Sequence, residues 1–415
     1  MKYLIVTLLL VLSLASASVY AGGFQLNEHG AKAMAMGGAY TAVANDPSAI
    51  YWNGAGLTAL SGTHIMVGAS LIMPNTTFRG VSPSITNYDM EKQAFTPPHI
   101  FVSHSIDKDW AVGLGFTVPF GLGTRWGDDW IGKYLAIETE LMTFTVMPTV
   151  AYRINDYISI SGSFVYSFAN VLITRKSPQT PFAGDAFIHL EGNDNSAFGY
   201  NFGLMVKPIE KVSVGVSFHS QIDYTFEGTA VSTGAQQLID AKRLPNDDVK
   251  AELTTPFNLA FGIAVDVTDQ LKISADYQRV GWSSYDSLKV DFNDPAFTDL
   301  ASPREYEDSY IIRLGASYKY NNTYSFMGGI YYDNNPVSPD FVNPSLPDAN
   351  RLGFSFGLEA KLTEKIGIQA SYLFIRSEEL TVTNSRENYV PGISPFNGTY
   401  NSFANIFSVG FLYSL

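Results

Sequence analysis

From His64 onward the chain alternates with a period of two, and it keeps doing so almost to its end. Ile158, Ile160, Phe164 and Tyr166 alternate with Ser159, Ser161 and Ser163; Val212, Val214, Val216 and Phe218 alternate with Ser213, Gly215 and Ser217. Leu271, Ile273, Ala275 and Tyr277 do the same against Lys272, Ser274, Asp276 and Gln278, as do Ile366, Ile368, Ala370 and Tyr372 against Gly367, Gln369 and Ser371. Successive side chains of a strand point to opposite faces, so each run is a strand with one greasy face and one small or polar face. A soluble sandwich also alternates, but its exposed faces carry Lys, Glu and Thr in quantity. Here the second face is mostly Ser, Gly, Ala and Asn, and charged residues make up only 16% of the chain. Tyrosine and phenylalanine gather near strand ends (Tyr152 and Tyr157, Tyr318 and Tyr320, Tyr331 and Tyr332, Phe411 and Tyr413), as two aromatic girdles at membrane interfaces would. Beyond the N-terminus no apolar run reaches the roughly 20 residues a membrane-spanning helix needs. The pattern predicts an all-β membrane protein, an antiparallel transmembrane β-barrel of about 14 strands, because a closed barrel satisfies every backbone group in lipid without leaving an edge.

Strand centres are expected at Val67, Phe101, Gly115, Met147, Ser163, Phe202 and Val214, then at Phe261, Ala275, Leu314, Phe326, Phe356, Ala370 and Phe407. Asn155-Asp156, Thr268-Asp269, Asn321-Asn322 and Thr363-Glu364 read as tight periplasmic turns. The long links near 75–93, 119–138, 175–195, 229–247, 284–305, 334–349 and 380–398 read as extracellular loops.

Two stretches precede the alternation. Residues 1–21 read as a secretory signal, with Lys2, an apolar core from Leu4 to Leu14 and Val19-Tyr20-Ala21 at the cleavage position. Cleavage is expected after Ala21, with Ala17 as second choice. Residues 22–60 are rich in Ala and Gly and lack the period of two; they are too small-sided for a core of their own but suit the inside of something larger. The domain reading is therefore 1–21 signal peptide, 22–60 a partly helical N-terminal plug, and 61–415 barrel. An exported chain without cysteine cannot rely on disulfides, and a closed sheet supplies the constraint instead. The net charge of −13 argues against nucleic acid as a partner. The acids cluster in expected loops, where they suit a rim facing outer-membrane lipid and lipopolysaccharide. A monomer is expected.

Gly23-Phe24-Gln25-Leu26-Asn27-Glu28, Met36-Gly37-Gly38-Ala39, Asn45-Asp46-Pro47-Ser48 and Trp52-Asn53-Gly54-Ala55-Gly56-Leu57 resemble the hatch of FadL-type outer-membrane transporters. That family carries long-chain fatty acids and, in one branch, aromatic hydrocarbons such as toluene and xylene. The resemblance implies a hatch inside the lumen and a hydrophobic small molecule as substrate. It implies contact with substrate at Phe24, Gln25 and Leu26, and gating at Asn53, Gly54 and Ala55, where the family usually has Asn-Pro-Ala. The third strand, with Gly113, Gly115 and Pro119, predicts a bulge or break from its composition. By resemblance it carries a lateral gate facing lipid.

In the following loop Asp128 or Asp129 is expected to cap a short helix placing Trp130, Tyr134 and Ile137 on one face. Trp126, Trp130, Ile131 and Tyr134 become candidates for first contact with substrate. Arg175 falls where the family can place a cation near a ligand carboxylate. Glu307 stands where a family member has Lys, so either Arg313 or Arg304 takes that role or the ligand lacks a carboxylate. The six histidines show no metal spacing, and neither a nucleophile elbow nor a dinucleotide fingerprint is present. No catalytic residue, metal or cofactor is expected, and with no ATP motif transport should run downhill. The competing classes are a general porin, a surface adhesin and, by a His–Ser pair across strands, an outer-membrane phospholipase.

Overall fold

A computed structural model describes residues 22–390 and 394–415. The expected signal peptide, residues 1–21, lies outside the described residues. The barrel opens with β1 (Thr63–Gly80), β2 (Pro98–Ser105) and β3, which runs Trp110–Thr117, breaks, and resumes at Gly121–Arg125. β4 (Glu138–Arg153), β5 (Ile158–Pro178) and β6 (Asp185–Ile209) follow. Four interrupted strands come next: β7 (Val212–His219 and Ile222–Thr233), β8 (Asn246–Thr255 and Asn258–Asp266), β9 (Leu271–Val280 and Ser287–Phe292) and β10 (Leu300–Pro303 and Ser309–Lys319). The wall ends with β11 (Tyr324–Asp333), β12 (Arg351–Lys361), β13 (Ile366–Ser377) and β14 (Gly398–Ser414). Neighbours pair antiparallel throughout, and β14 returns to β1 from His64↔Ser414 to Gly80↔Gly398, closing a cylinder of 14 strands. Each expected strand centre falls within one of these strands.

The long links differ from expectation. The stretch 175–195 is mostly ladder: β5 and β6 pair from Arg175↔Ile188 to Pro178↔Asp185, leaving a connection of residues 179–184. Strands also extend into 229–247, as far as Thr233 and again from Asn246, and into 284–305 over Ser287–Phe292 and Leu300–Pro303. These extensions bury one face, at Ala186, Ile188, Ala230 and Val290.

The greasy face points out. Val67, Ile160, Phe164, Phe202, Phe261, Leu314, Phe326, Phe356 and Phe407 are all exposed, while their neighbours Ser159, Ser163, Ser274, Asp276 and Gln369 are buried. Lipid is the solvent in which an outer surface of this kind is stable.

What buries the inner face is the N-terminal segment. Its α1 (Ala31–Ala35) touches β11 to β14, and its α2 (Ala49–Trp52) touches β3. A 3₁₀ turn, Gly54–Ala59, touches β2 to β6. These three elements thus touch strands on different sides of the sheet. The inner Ser and Asp side chains bond its backbone: Ser355 Oγ donates to Ala35 O (2.9 Å), Ser274 Oγ to Ala39 O (2.7 Å), and Asp276 Oδ2 accepts from the N–H groups of Tyr40 and Thr41 (3.0 and 2.8 Å). Short elements cannot satisfy their own termini, so the wall does it for them. A carbon on Gly329 would lie 2.1 Å from the nitrogen of Gly37; here the two backbones approach too closely for any side chain.

Candidate functional site

The break in β3 sits at Val118–Phe120, where Pro119 has no N–H for a ladder. Below it β2 and β3 pair from Ser105↔Ala111 to Ile100↔Phe116; above it the resumed strand has no register with β2 and pairs with β4 alone. The freed edge is taken by the N-terminal segment. Leu26 N donates to Pro119 O (2.9 Å), Gly121 N donates to Phe24 O (3.0 Å), and Gln25 bridges Phe120. Three residues of residues 22–60 thus stand in for a missing strand.

A cavity of about 400 Å³ opens at this point. Phe24, Gln25, Leu26, Phe95, Pro98, Gly121 and Gly123 line it. So do Leu141, which is buried, and Met142, which is exposed on the outer face. The Phe95 ring fills the space over Gly123, and Leu26 packs on Gly121.

A second cavity of about 220 Å³ adjoins it and shares Phe24, Leu122, Leu141 and Leu346. Phe24 is the partition, held edge-on by Trp282 (4.8 Å), Tyr285 (5.8 Å) and Phe120 (6.0 Å). The walls of this second cavity are mostly apolar, with Thr139, Ser302, Asn343 and Ser345 among them. Arg175, Arg304 and Glu387 also line it, with Arg304 Nη1 3.3 Å from Glu387 Oε1. The Arg175 guanidinium makes no hydrogen bond among the described residues and faces the charge of Glu387.

Other expected site residues lie elsewhere. Arg313 borders neither large cavity; its guanidinium donates to Gln278 Oε1 (2.6 Å) and Asn27 Oδ1 (3.3 Å) and lies 6.0 Å from the Trp52 ring. Residues 127–137 form successive turns rather than the expected helix. Trp130 Nε1 donates to Ala136 O (2.8 Å), which draws the segment into a knot with neither Asp128 nor Asp129 as a cap. Trp126 and Trp130 are buried, stacked at 4.3 Å, and Ile131 is exposed. Tyr134 donates to Asp185 Oδ1 (3.0 Å) beside Lys133, whose ammonium is held above its ordinary range by its bond to Asp185. None of these four lines either cavity. Asn53 donates to Thr41 O (2.9 Å) and to Leu204 O on β6 (3.0 Å), and its side chain accepts from Ala55 N (3.2 Å). Gly54 is closely packed on Ser161.

Gly113 and Gly115 sit below the break, in fully paired strand. A carbon on Gly113 would lie 2.7 Å from Ile50 Cδ1, and one on Gly115 2.8 Å from Ile50 Cγ2. Their smallness makes room for α2. Gly113→Leu is expected to push α2 off the wall at a cost of about 1–3 kcal/mol. Protease sensitivity of residues 45–60 reads this, and Ile50→Ala in the same chain should restore resistance. The residues that sequence alone gave no reason to group are Phe95, Trp282, Tyr285, Asp333, Asp348 and Arg351; they converge from distant links with no shared spacing.

Residues 12–415 match a family model described as outer membrane protein transport protein (OMPP1/FadL/TodX). The long-chain fatty acid transport protein of Salmonella typhi is 25% identical over 90% of this chain and 92% of its own. Among solved structures, a Pseudomonas aeruginosa FadL homologue superposes with a TM-score of 0.85 at 19% identity, covering 95% of this chain and 100% of that one. The P. putida toluene transporter TodX superposes with a TM-score of 0.75 at 18% identity, covering 94% and 99%.

Proposed function

Because the chain belongs to the OMPP1/FadL/TodX family of outer membrane transport proteins, we propose that it carries hydrophobic small molecules, long-chain fatty acids first among them, down their gradient across the outer membrane. The observation that supports a fatty acid is the second cavity. Its lining is mostly apolar and includes two arginines, groups that suit an acyl chain and its carboxylate head. A cation in a low-dielectric site attracts a carboxylate more strongly than in water. Substrate enters this cavity from the extracellular side, passes Phe24, and reaches the first cavity beside the break in β3. Residues 22–60 act as a hatch: when Phe24 to Leu26 leave the freed edge, the acyl chain slides sideways into lipid, where apolar surface is stable. The protein works as a monomer among outer-membrane lipid and lipopolysaccharide, exported by its signal peptide, and as a transporter rather than an enzyme.

Glu387 favours a second reading. By pairing with Arg304 it cancels half the positive charge, and an aromatic hydrocarbon would then use the same route without a head group. Uptake of radiolabelled oleate and of toluene into cells with and without the protein separates the two. Oleate uptake that depends on the protein supports the first reading. High ungated ion conductance would point to a porin, and uptake unchanged by the protein's removal would point to an adhesin.

A further inference from the structure

We propose that Asp333 and Asp348 form a binding site for the α-ammonium released at Gly22 when the signal peptide is removed, and that this buried contact fixes the hatch strand in the break of β3. The proposal rests on cleavage after Ala21 and on the hatch reading of residues 22–60.

Asp333, the last residue of β11, is 4% exposed, and its Oδ1 is buried with no hydrogen-bond partner. Asp348, just before β12, is 2% exposed. It accepts from Gly23 N (2.6 Å) and from Arg351 Nη2 (2.6 Å), and Arg351 also donates to Gly23 O (2.8 Å). Two buried carboxylates therefore flank the start of the hatch; the guanidinium of Arg351 is hydrogen-bonded to Asp348 and acts on Asp333 only through its charge. An unpartnered buried carboxylate oxygen is strongly unfavourable. The backbone of Gly22 supplies what is missing. A carbon built on it would lie 2.2 Å from Asp333 Oδ2, so the α-carbon sits against that carboxylate, and its nitrogen is one bond from that α-carbon.

In the precursor that nitrogen is a neutral amide with a single N–H. Hydrolysis of the Ala21–Gly22 bond by a signal peptidase consumes one water, leaves a carboxylate on Ala21, and gives Gly22 an ammonium with three donors. The charge appears beside the oxygen that lacks a partner. Two residues further on, Phe24 O accepts from Gly121 of the freed edge, so anchoring Gly22 sets the register of that contact. Removing the leader thus completes the gate.

The test uses full-length protein purified from outer membranes in detergent. Intact mass should place the mature start at Gly22. At neutral pH an amine-acylating reagent should label that terminus about tenfold more slowly in the folded protein than in the same protein unfolded in urea, because a carboxylate partner keeps the amine protonated. Asp333→Asn combined with Asp348→Asn should abolish this protection and speed hydrogen exchange at residues 24–26, with heat-modifiable gel mobility reporting that the barrel still folds. A mature chain starting elsewhere, or equal labelling of folded and unfolded wild-type protein, overturns the proposal. Neither readout measures transport, so failure here leaves the uptake result standing, and the reverse also holds.

Discussion

Lys32→Met is expected to release the hatch from the wall at a cost of about 3–5 kcal/mol while the cylinder stays closed. Lys32 Nζ lies 3.1 Å from Glu359 Oε2 on β12, with both side chains 11% exposed. Gln369 ties the pair to a wider set, donating to Glu359 Oε1 and to Asp46 Oδ2 at 3.2 Å each. Removing the ammonium leaves a buried carboxylate without its cation, and undocking is the way for that carboxylate to reach water. The strand ladders do not pass through Lys32, so heat-modifiable mobility should persist. Hydrogen exchange across residues 30–60 should quicken, and ion conductance in planar bilayers should rise. Adding Glu359→Gln should restore part of the protection, since a neutral amide needs no cation. Unchanged exchange and conductance in Lys32→Met would show that this pair does not hold the hatch.

The second large effect separates the two substrate readings. Arg175→Ala is expected to weaken oleate binding by about 10–100-fold, corresponding to a hydrogen bond to a charged group of about 1.5–3 kcal/mol, and to leave toluene binding alone. Arg175 is the cleaner choice because Arg304 already pairs with Glu387, and its loss would strand that acid. Binding of each ligand to detergent-solubilised protein reads the difference. Equal loss of both ligands would remove the carboxylate role from Arg175.

The barrel was legible in the sequence because lipid demands an apolar side chain at every second position, and that demand repeats strand after strand. The tight turns were legible for a related reason: each falls where alternation pauses on Asn, Asp or Thr. Beyond the membrane the demand ends, and so did the signal, which is why the extensions of β5 and β6 read as loop. Smallness proved ambiguous. Gly113 and Gly115 suggested a weak wall, yet they accommodate Ile50, and the break itself lies at Pro119. Trp130 and Tyr134 showed helical spacing, but the indole bond to Ala136 O bends the chain into turns instead. Arg313, expected with Arg304 as one of two alternative ligand cations, donates to Gln278 and Asn27. Local pattern carries no information about which distant residue a buried charge will meet. For the same reason Asp333 and Asp348, from separate ends of one long link, could not be paired in advance.

The account turns on the hatch strand leaving the break in β3 for substrate to pass. Gln25 and Phe120 are the directly opposed residues of this contact, flanked by the bonds from Leu26 N to Pro119 O and from Gly121 N to Phe24 O. Opposed positions of this kind lie close enough for a disulfide, and the chain has no cysteine of its own to interfere. Gln25→Cys with Phe120→Cys should form a bridge that fastens the strand in place. Oleate uptake by cells carrying the oxidised pair should fall to the level of cells lacking the protein and return on reduction. Uptake at an undiminished rate with the bridge intact would contradict passage through this gate.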